Sequence, residues 1–145
     1  MMKNMKIRKF RWDEIKQVME IQNESFEKDR WDEIEFMKHY EEAGEGFIVC
    51  EENGLIIGYG IVNKKGYIHS IAVRREYRRK KIGKRILNEI ERIARENKNE
   101  VLTLHVRLSN KEAIEFYHKQ GFTDIIILPK IYYDEDGIYM EKRIM

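Results

Sequence analysis

The 145 residues carry 28 Lys or Arg against 26 Asp or Glu, a formal net charge of +2, and are 42% hydrophobic and 37% charged. This balance excludes a disordered chain and a membrane-spanning one, and so small a net charge argues by itself for neither a nucleic-acid nor a membrane partner. The length suits a single domain over residues 1–145 that buries a core without metals or disulfides; a lone cysteine, Cys50, and no apolar signal segment make the expected location cytoplasmic.

Taken in chain order, Lys6 to Phe10 can form a short strand. Asp13 is placed to cap a helix on which Ile15, Val18, Met19 and Phe26 recur at roughly helical spacing. A second helix is predicted from Asp32, where Asp32 and Glu35 have capping-box spacing; it carries Ile34, Met37 and Tyr40 and ends near Gly44. Strand-like runs follow at Gly46 to Glu51, Leu55 to Asn63 and Tyr67 to Val73, the first two joined by Asn53-Gly54, a two-residue hairpin signal. Gly83 to about Asn97 is an amphipathic helix with Ile86, Leu87, Ile90, Ile93 and Ala94 on one stripe. Val101 to Leu108 alternates, with Leu102, Leu104 and Val106 on one face and Thr103, His105 and Arg107 on the other. A short helix from Asn110 to Gln120 stops at Gly121, and strands at Phe122 to Leu128 and Gly137 to Arg143 complete an α+β chain with a mixed sheet.

Eight of the twelve residues from Arg74 to Arg85 are basic, and they lie between a strand and the start of a helix. A helix N-terminus has unpaired N–H groups and partial positive charge, so such a turn suits a phosphate-bearing ligand. On charge alone, a solvated basic loop or a nucleic-acid patch explains it as well. His39, His69 and His118 form no metal-ligand spacing with Cys50, so no metal is expected. No Ser-His-Asp or G-x-S-x-G pattern points to an acyl-enzyme.

The order of residues is more specific than their charge. Arg78, Ile82 and Gly83, opening the amphipathic helix, resemble the Arg/Gln-x-x-Gly-x-Gly/Ala signature of the GNAT superfamily, with Lys81 in place of the first glycine. A lysine there either takes up left-handed backbone, at roughly 1 kcal/mol, or keeps ordinary turn geometry. Leu104 to Phe122 resembles the other half of that family's core, and with Tyr132-Tyr133 it is most similar to the protein N-terminal acetyltransferases. The resemblance implies the GNAT fold: a central mixed, mostly antiparallel sheet of about seven strands, with a parallel splayed pair at the cofactor site and four flanking helices.

It also implies acetyl-CoA as cosubstrate. Ile71, Ala72 and Val73 would line the thioester, with a backbone N–H near Val73 stabilising the developing oxyanion. Arg78, Arg79, Lys80, Lys81, Ile82, Gly83 and Lys84 would surround the pyrophosphate, and Asn110 the pantetheine arm, although helix capping explains Asn110 equally well. Tyr67 and His105 stand where one branch of the family takes the proton from the amine. His105, with an ordinary pKa of about 6.5, is the preferred base. Tyr117 corresponds to the tyrosine that protonates the departing thiolate and contacts the cofactor; anchoring its helix is the competing role.

For the acceptor, Phe26, Trp31, Tyr132 and Tyr133 would grip a peptide, core packing being the alternative for the first two. The expected function is acetyl transfer to a primary amine by direct attack, foremost the α-amino group of a protein or peptide. A small amine (polyamine, aminoglycoside or amino-acid derivative) or protein lysine is the second enzyme reading. A coenzyme A-binding sensor or regulatory subunit is the non-enzymatic one, and salt-dependent nucleic-acid binding through residues 74–85 the last.

Overall fold

The computed structural model describes residues 4–145. Eleven elements carry the fold among them: β1 (Met5–Lys9), α1 (Ile15–Ser25), α2 (Glu33–Ala43), β2 (Phe47–Glu52), β3 (Leu55–Val62), β4 (Ile68–Val73), α3 (Ile82–Glu96), β5 (Val101–Arg107), α4 (Lys111–Lys119), β6 (Thr123–Leu128) and β7 (Gly137–Arg143). The strands form an antiparallel sheet in the order β1-β2-β3-β4 and a second one in the order β5-β7-β6. The sheets meet at one parallel bridge, Tyr67 with Thr103, beyond which β4 and β5 part.

Local chemistry accounts for most of the boundaries. Asn53 and Gly54 both have positive φ, as the tight β2–β3 hairpin demands. At α2 the Asp32 carboxylate accepts from the Glu35 N–H at 2.8 Å, and the Glu35 carboxylate accepts from the Asp32 N–H at 3.1 Å. The α1 entry differs from expectation. Asp13 is exposed and caps nothing; a single 3-10 turn, Trp12–Glu14, leads into the helix, and buried Glu14 accepts from the Arg11 N–H at 3.0 Å and from Arg8. Phe26 follows α1 as extended backbone and does not continue its stripe.

Two apolar cores lie on opposite faces of the first sheet. One packs α3 against both sheets through Ile86, Leu87, Ile90, Ile93 and Ala94, joined by Leu102, Leu104 and Val106 of β5. The other packs α1 and α2 on the opposite face around Phe10, Phe36, Phe47 and Tyr59. On α2 the expected residues divide: Tyr40 packs on the core beside Phe10, but Ile34 is 69% exposed, and Phe36 fills the core. Phe36 turns inward because its ring reaches Phe47 and Tyr59, each 6.3 Å away, while Ile34 lies on the opposite side of the helix. In β3, Gly58 and Gly60 let α3 come close; a Cβ on Gly60 would stand 2.7 Å from the Ile86 side chain. No helix of the described residues is long and apolar enough to cross a membrane.

Candidate active site

The site lies where β4 and β5 separate. The Arg74 N–H donates to the Ile57 carbonyl at 2.7 Å, so the alternation of an antiparallel ladder turns Ala72 and Arg74 toward β3, and Ile71 and Val73 outward into the fork. Arg78 confirms this from outside: its Nε donates to the Val73 carbonyl at 3.1 Å. The N–H groups of Ile71 and Val73 therefore face the gap. Ala72 does not; its backbone serves the ladder and its side chain is buried in the α1-side core.

At the open end of the fork, Arg79 and Lys81 both have φ of 63°, and Lys81, with ψ of 20°, is the N-cap of α3. Lys81 thus accepts the left-handed backbone that a glycine adopts freely, and keeps the shape of the turn. The first helical bond of α3 runs from the Arg85 N–H to the Lys81 carbonyl, leaving the Ile82, Gly83 and Lys84 N–H groups without helical partners. Arg79, Lys80, Lys81 and Lys84 are exposed around them. Arg78 is committed elsewhere: besides Val73 it donates to Ser25 Oγ at 2.9 Å, tying the basic loop to α1. Ile82 is buried in the core, so only its backbone faces the turn. Gly83 sits where a Cβ would come 3.4 Å from the Phe116 ring, allowing α3 and α4 to approach. Free donors on a helix start, ringed by cations, fit a diphosphate, and the outward amides of β4 fit an amide-bearing arm. Asn110 caps α4, its Oδ1 accepting from the Ala113 N–H at 3.1 Å, which leaves its NH2 for a ligand.

At the closed end, Tyr67 Oη and His105 Nδ1 lie 2.7 Å apart. In the tautomer of neutral His105 that carries its proton on Nε2, the phenol donates and Nδ1 accepts. Burial moves both groups toward their uncharged forms: Tyr67 titrates above its usual value and His105 below. Tyr117 packs edge-on to Phe116 and Phe122, and burial, with Tyr132 and Tyr67 nearby, holds its phenol well above the ordinary range. The Tyr132 phenol is pushed up to about 12, chiefly by burial.

The predicted acceptor residues divide. Tyr132 is half-buried beneath the Arg107 guanidinium, whose carbon is 4.6 Å from the ring centroid. Tyr133, next to it, is 94% exposed. Phe26 packs against the α1-side core. Trp31 is held by Gln22, which accepts from the Trp31 N–H at 2.7 Å and donates to its carbonyl at 3.0 Å, and its ring stacks on His39 at 3.9 Å.

Two groups escaped the sequence reading. Arg107 donates to both oxygens of Asp29 (2.6 and 2.8 Å), to Asp134 (2.8 Å) and to Glu135 (3.0 Å), and Lys28 donates to Asp134 at 2.6 Å. The loop between α1 and α2 is thereby strapped to the loop between β6 and β7 across the acceptor side. The signal was the alternation of β5, which puts Arg107 on the face of His105. The second group is His69, with its ring 4.9 Å from Tyr67 and 4.5 Å from His39. Burial, with His39 adding to it, lowers the His69 pKa to about 4. No group of three His, Cys, Asp or Glu among the described residues is placed to hold a metal ion.

Known proteins match this chain in sequence and fold. The Acetyltransferase (GNAT) family matches residues 12–122. A protein of Sulfurisphaera tokodaii named N-alpha-acetyltransferase is 32% identical over 95% of this chain and 92% of its own length. The crystal structure of Ard1 from Thermoplasma volcanium superposes with a TM-score of 0.92 at 26% identity, covering 98% of this chain and 99% of Ard1. Arabidopsis thaliana Naa50, in complex with the bisubstrate analogue CoA-Ac-MVNAL, shares the fold with a TM-score of 0.80 at 24% identity, over 96% of this chain and 98% of its own. With the fork, the basic turn and the second signature all in place on a chain so matched, the protein belongs to the GNAT family of acetyltransferases and is an acetyl-CoA-dependent N-acetyltransferase.

Proposed function

We propose that residues 1–145 act as one domain that acetylates the N-terminal α-amino group of proteins or peptides in the cytoplasm. The observation that carries this reading is the Tyr67–His105 pair, 2.7 Å apart at the closed end of the fork. Relatives named N-alpha-acetyltransferase and a neighbour holding a CoA-peptide bisubstrate analogue support it.

Bound acetyl-CoA supplies the acetyl group as a thioester. The Val73 N–H, fixed by the β3 ladder, hydrogen-bonds the carbonyl oxygen and stabilises the negative charge that grows on it. As the amine nitrogen forms its bond to the acetyl carbon, Tyr67 Oη takes the amine proton while passing its own to His105 Nδ1. Tyr117, kept protonated by burial, gives its proton to the sulfur as the carbon–sulfur bond breaks. Arg107 and Tyr132 position the acceptor.

The acceptor class follows from proton affinity. An α-amine titrates near 7.7–8.0 and a lysine near 10.4, so presenting lysine uncharged at pH 7 costs about 3–4 kcal/mol more. Burial makes His105 a weaker base than usual, which suits the easier amine. A polyamine would need free carboxylates, whereas Asp29, Asp134 and Glu135 are engaged by Arg107, and Asp134 also by Lys28.

The test offers acetyl-CoA with peptides bearing free or blocked N-termini, with internal lysines, and with polyamines, and follows coenzyme A thiol release. Turnover confined to free peptide N-termini is expected. Equal turnover of blocked lysine peptides or of polyamines would reject the α-amine assignment while leaving acetyl transfer intact.

A further inference from the structure

The two outer edges of the sheets are built differently. An edge strand exposes unpaired N–H and C=O groups, and charged side chains on it discourage pairing with another strand. The β1 edge has such a guard in exposed Lys6 and Lys9. The β6 edge carries no charge along its apolar run: Ile125, at an irregularity in the β6–β7 register, and the regularly paired Ile126 and Ile127 are 52%, 52% and 54% exposed. In the β6–β7 register Ile126 lies opposite Tyr139 and Ile127 opposite Ile138, so adjacent isoleucines lie on opposite faces of the sheet. A strand added alongside pairs with the free N–H and C=O groups of the edge and packs beside the side chains of both faces, which a helix or loop laid on one face does not do.

The ends of the strand specify which strand. Asp124 sits at its start, where its only side-chain partner among the described residues is His118, and exposed Lys130 lies just past its end, after Pro129. The Lys130 ammonium takes part in no ion pair among the described residues. A two-fold axis through Ile127 pairs two copies antiparallel and brings Asp124 of each to Lys130 of the other. Ile127 then meets its own copy and Ile126 meets Leu128, and Pro129, which has no N–H to donate, ends the ladder on either side.

We infer that β6 is a self-association edge, joining a second copy of this chain by antiparallel β6–β6 pairing into one six-stranded sheet. The acetyl-transfer fork is on the far side of β7 and β5, so each copy keeps its own site.

Sedimentation equilibrium on the full chain tests this. A reversible dimer is expected, weakening as salt rises. Ile126→Lys, which gives β6 the guard that β1 has, should weaken it at least tenfold with acetyl-CoA turnover unchanged. Should that variant fold poorly, charge reversal keeps the test open: Asp124→Lys alone should weaken the dimer about tenfold, since the two-fold counts the repulsion twice, and adding Lys130→Asp should restore it. A chain that stays monomeric at hundreds of micromolar overturns the inference. So does a dimer indifferent to both Ile126→Lys and Asp124→Lys, which would place the contact elsewhere.

Discussion

Tyr67 and His105 share a proton path, and their variants should behave as a unit. Tyr67→Phe removes the oxygen that meets the amine and His105→Ala removes its acceptor; each should lower kcat about a hundredfold or more, and the double variant little further. The pH profile of kcat has a predictable sign. His105 works when neutral, and burial places its pKa below the usual 6.5, so activity should fall only as pH drops beneath that value. An acid limb centred above 6.5 would contradict the assignment. Lys81 offers a second check at this scale. Its φ of 63° is one that glycine reaches freely, so Lys81→Gly should raise stability by up to about 1 kcal/mol in thermal unfolding, while removing one cation near the cofactor turn.

Among the elements, α3 was the most legible, because five apolar residues recur at its period and all five are buried. The α2 face was not: Ile34, Met37 and Tyr40 make as good a helical stripe as the face that carries Phe36, and only the aromatic cluster on β2 and β3 decides between them. The α1 start was misread for a related reason, since Glu14 is drawn inward by Arg8, a partner six residues away on another element. At the site, Tyr67, His105 and the basic turn were legible through strand alternation and motif order. The His39–His69 contact and the Arg107 strap were not, since they join segments separated by 30 and 78 positions. Close packing of α3 on β3 makes its own demand: Gly60→Val would push into Ile86 and Ile90, and should cost about 1–3 kcal/mol in denaturant unfolding with the cofactor turn disturbed alongside.

On the scale of the whole molecule, Arg107 couples loops from the two halves. Its side chain is only 14% exposed and faces three carboxylates, so Arg107→Leu should release the α1–α2 loop and leave those carboxylates repelling one another. Steady-state kinetics should then show KM for the peptide rising at least tenfold and KM for acetyl-CoA changing little, because the cofactor turn is tied separately through Arg78. The single backbone bridge between the sheets, Tyr67 with Thr103, has a wider consequence. Past that stitch, each sheet ends on a row of backbone amides waiting for a neighbour, and whatever slides between them supplies the missing rung for both. On the proposed placement the coenzyme is also mortar for the fold, and the exchange of the Ile71 and Val73 amides with deuterated solvent should slow when acetyl-CoA is added.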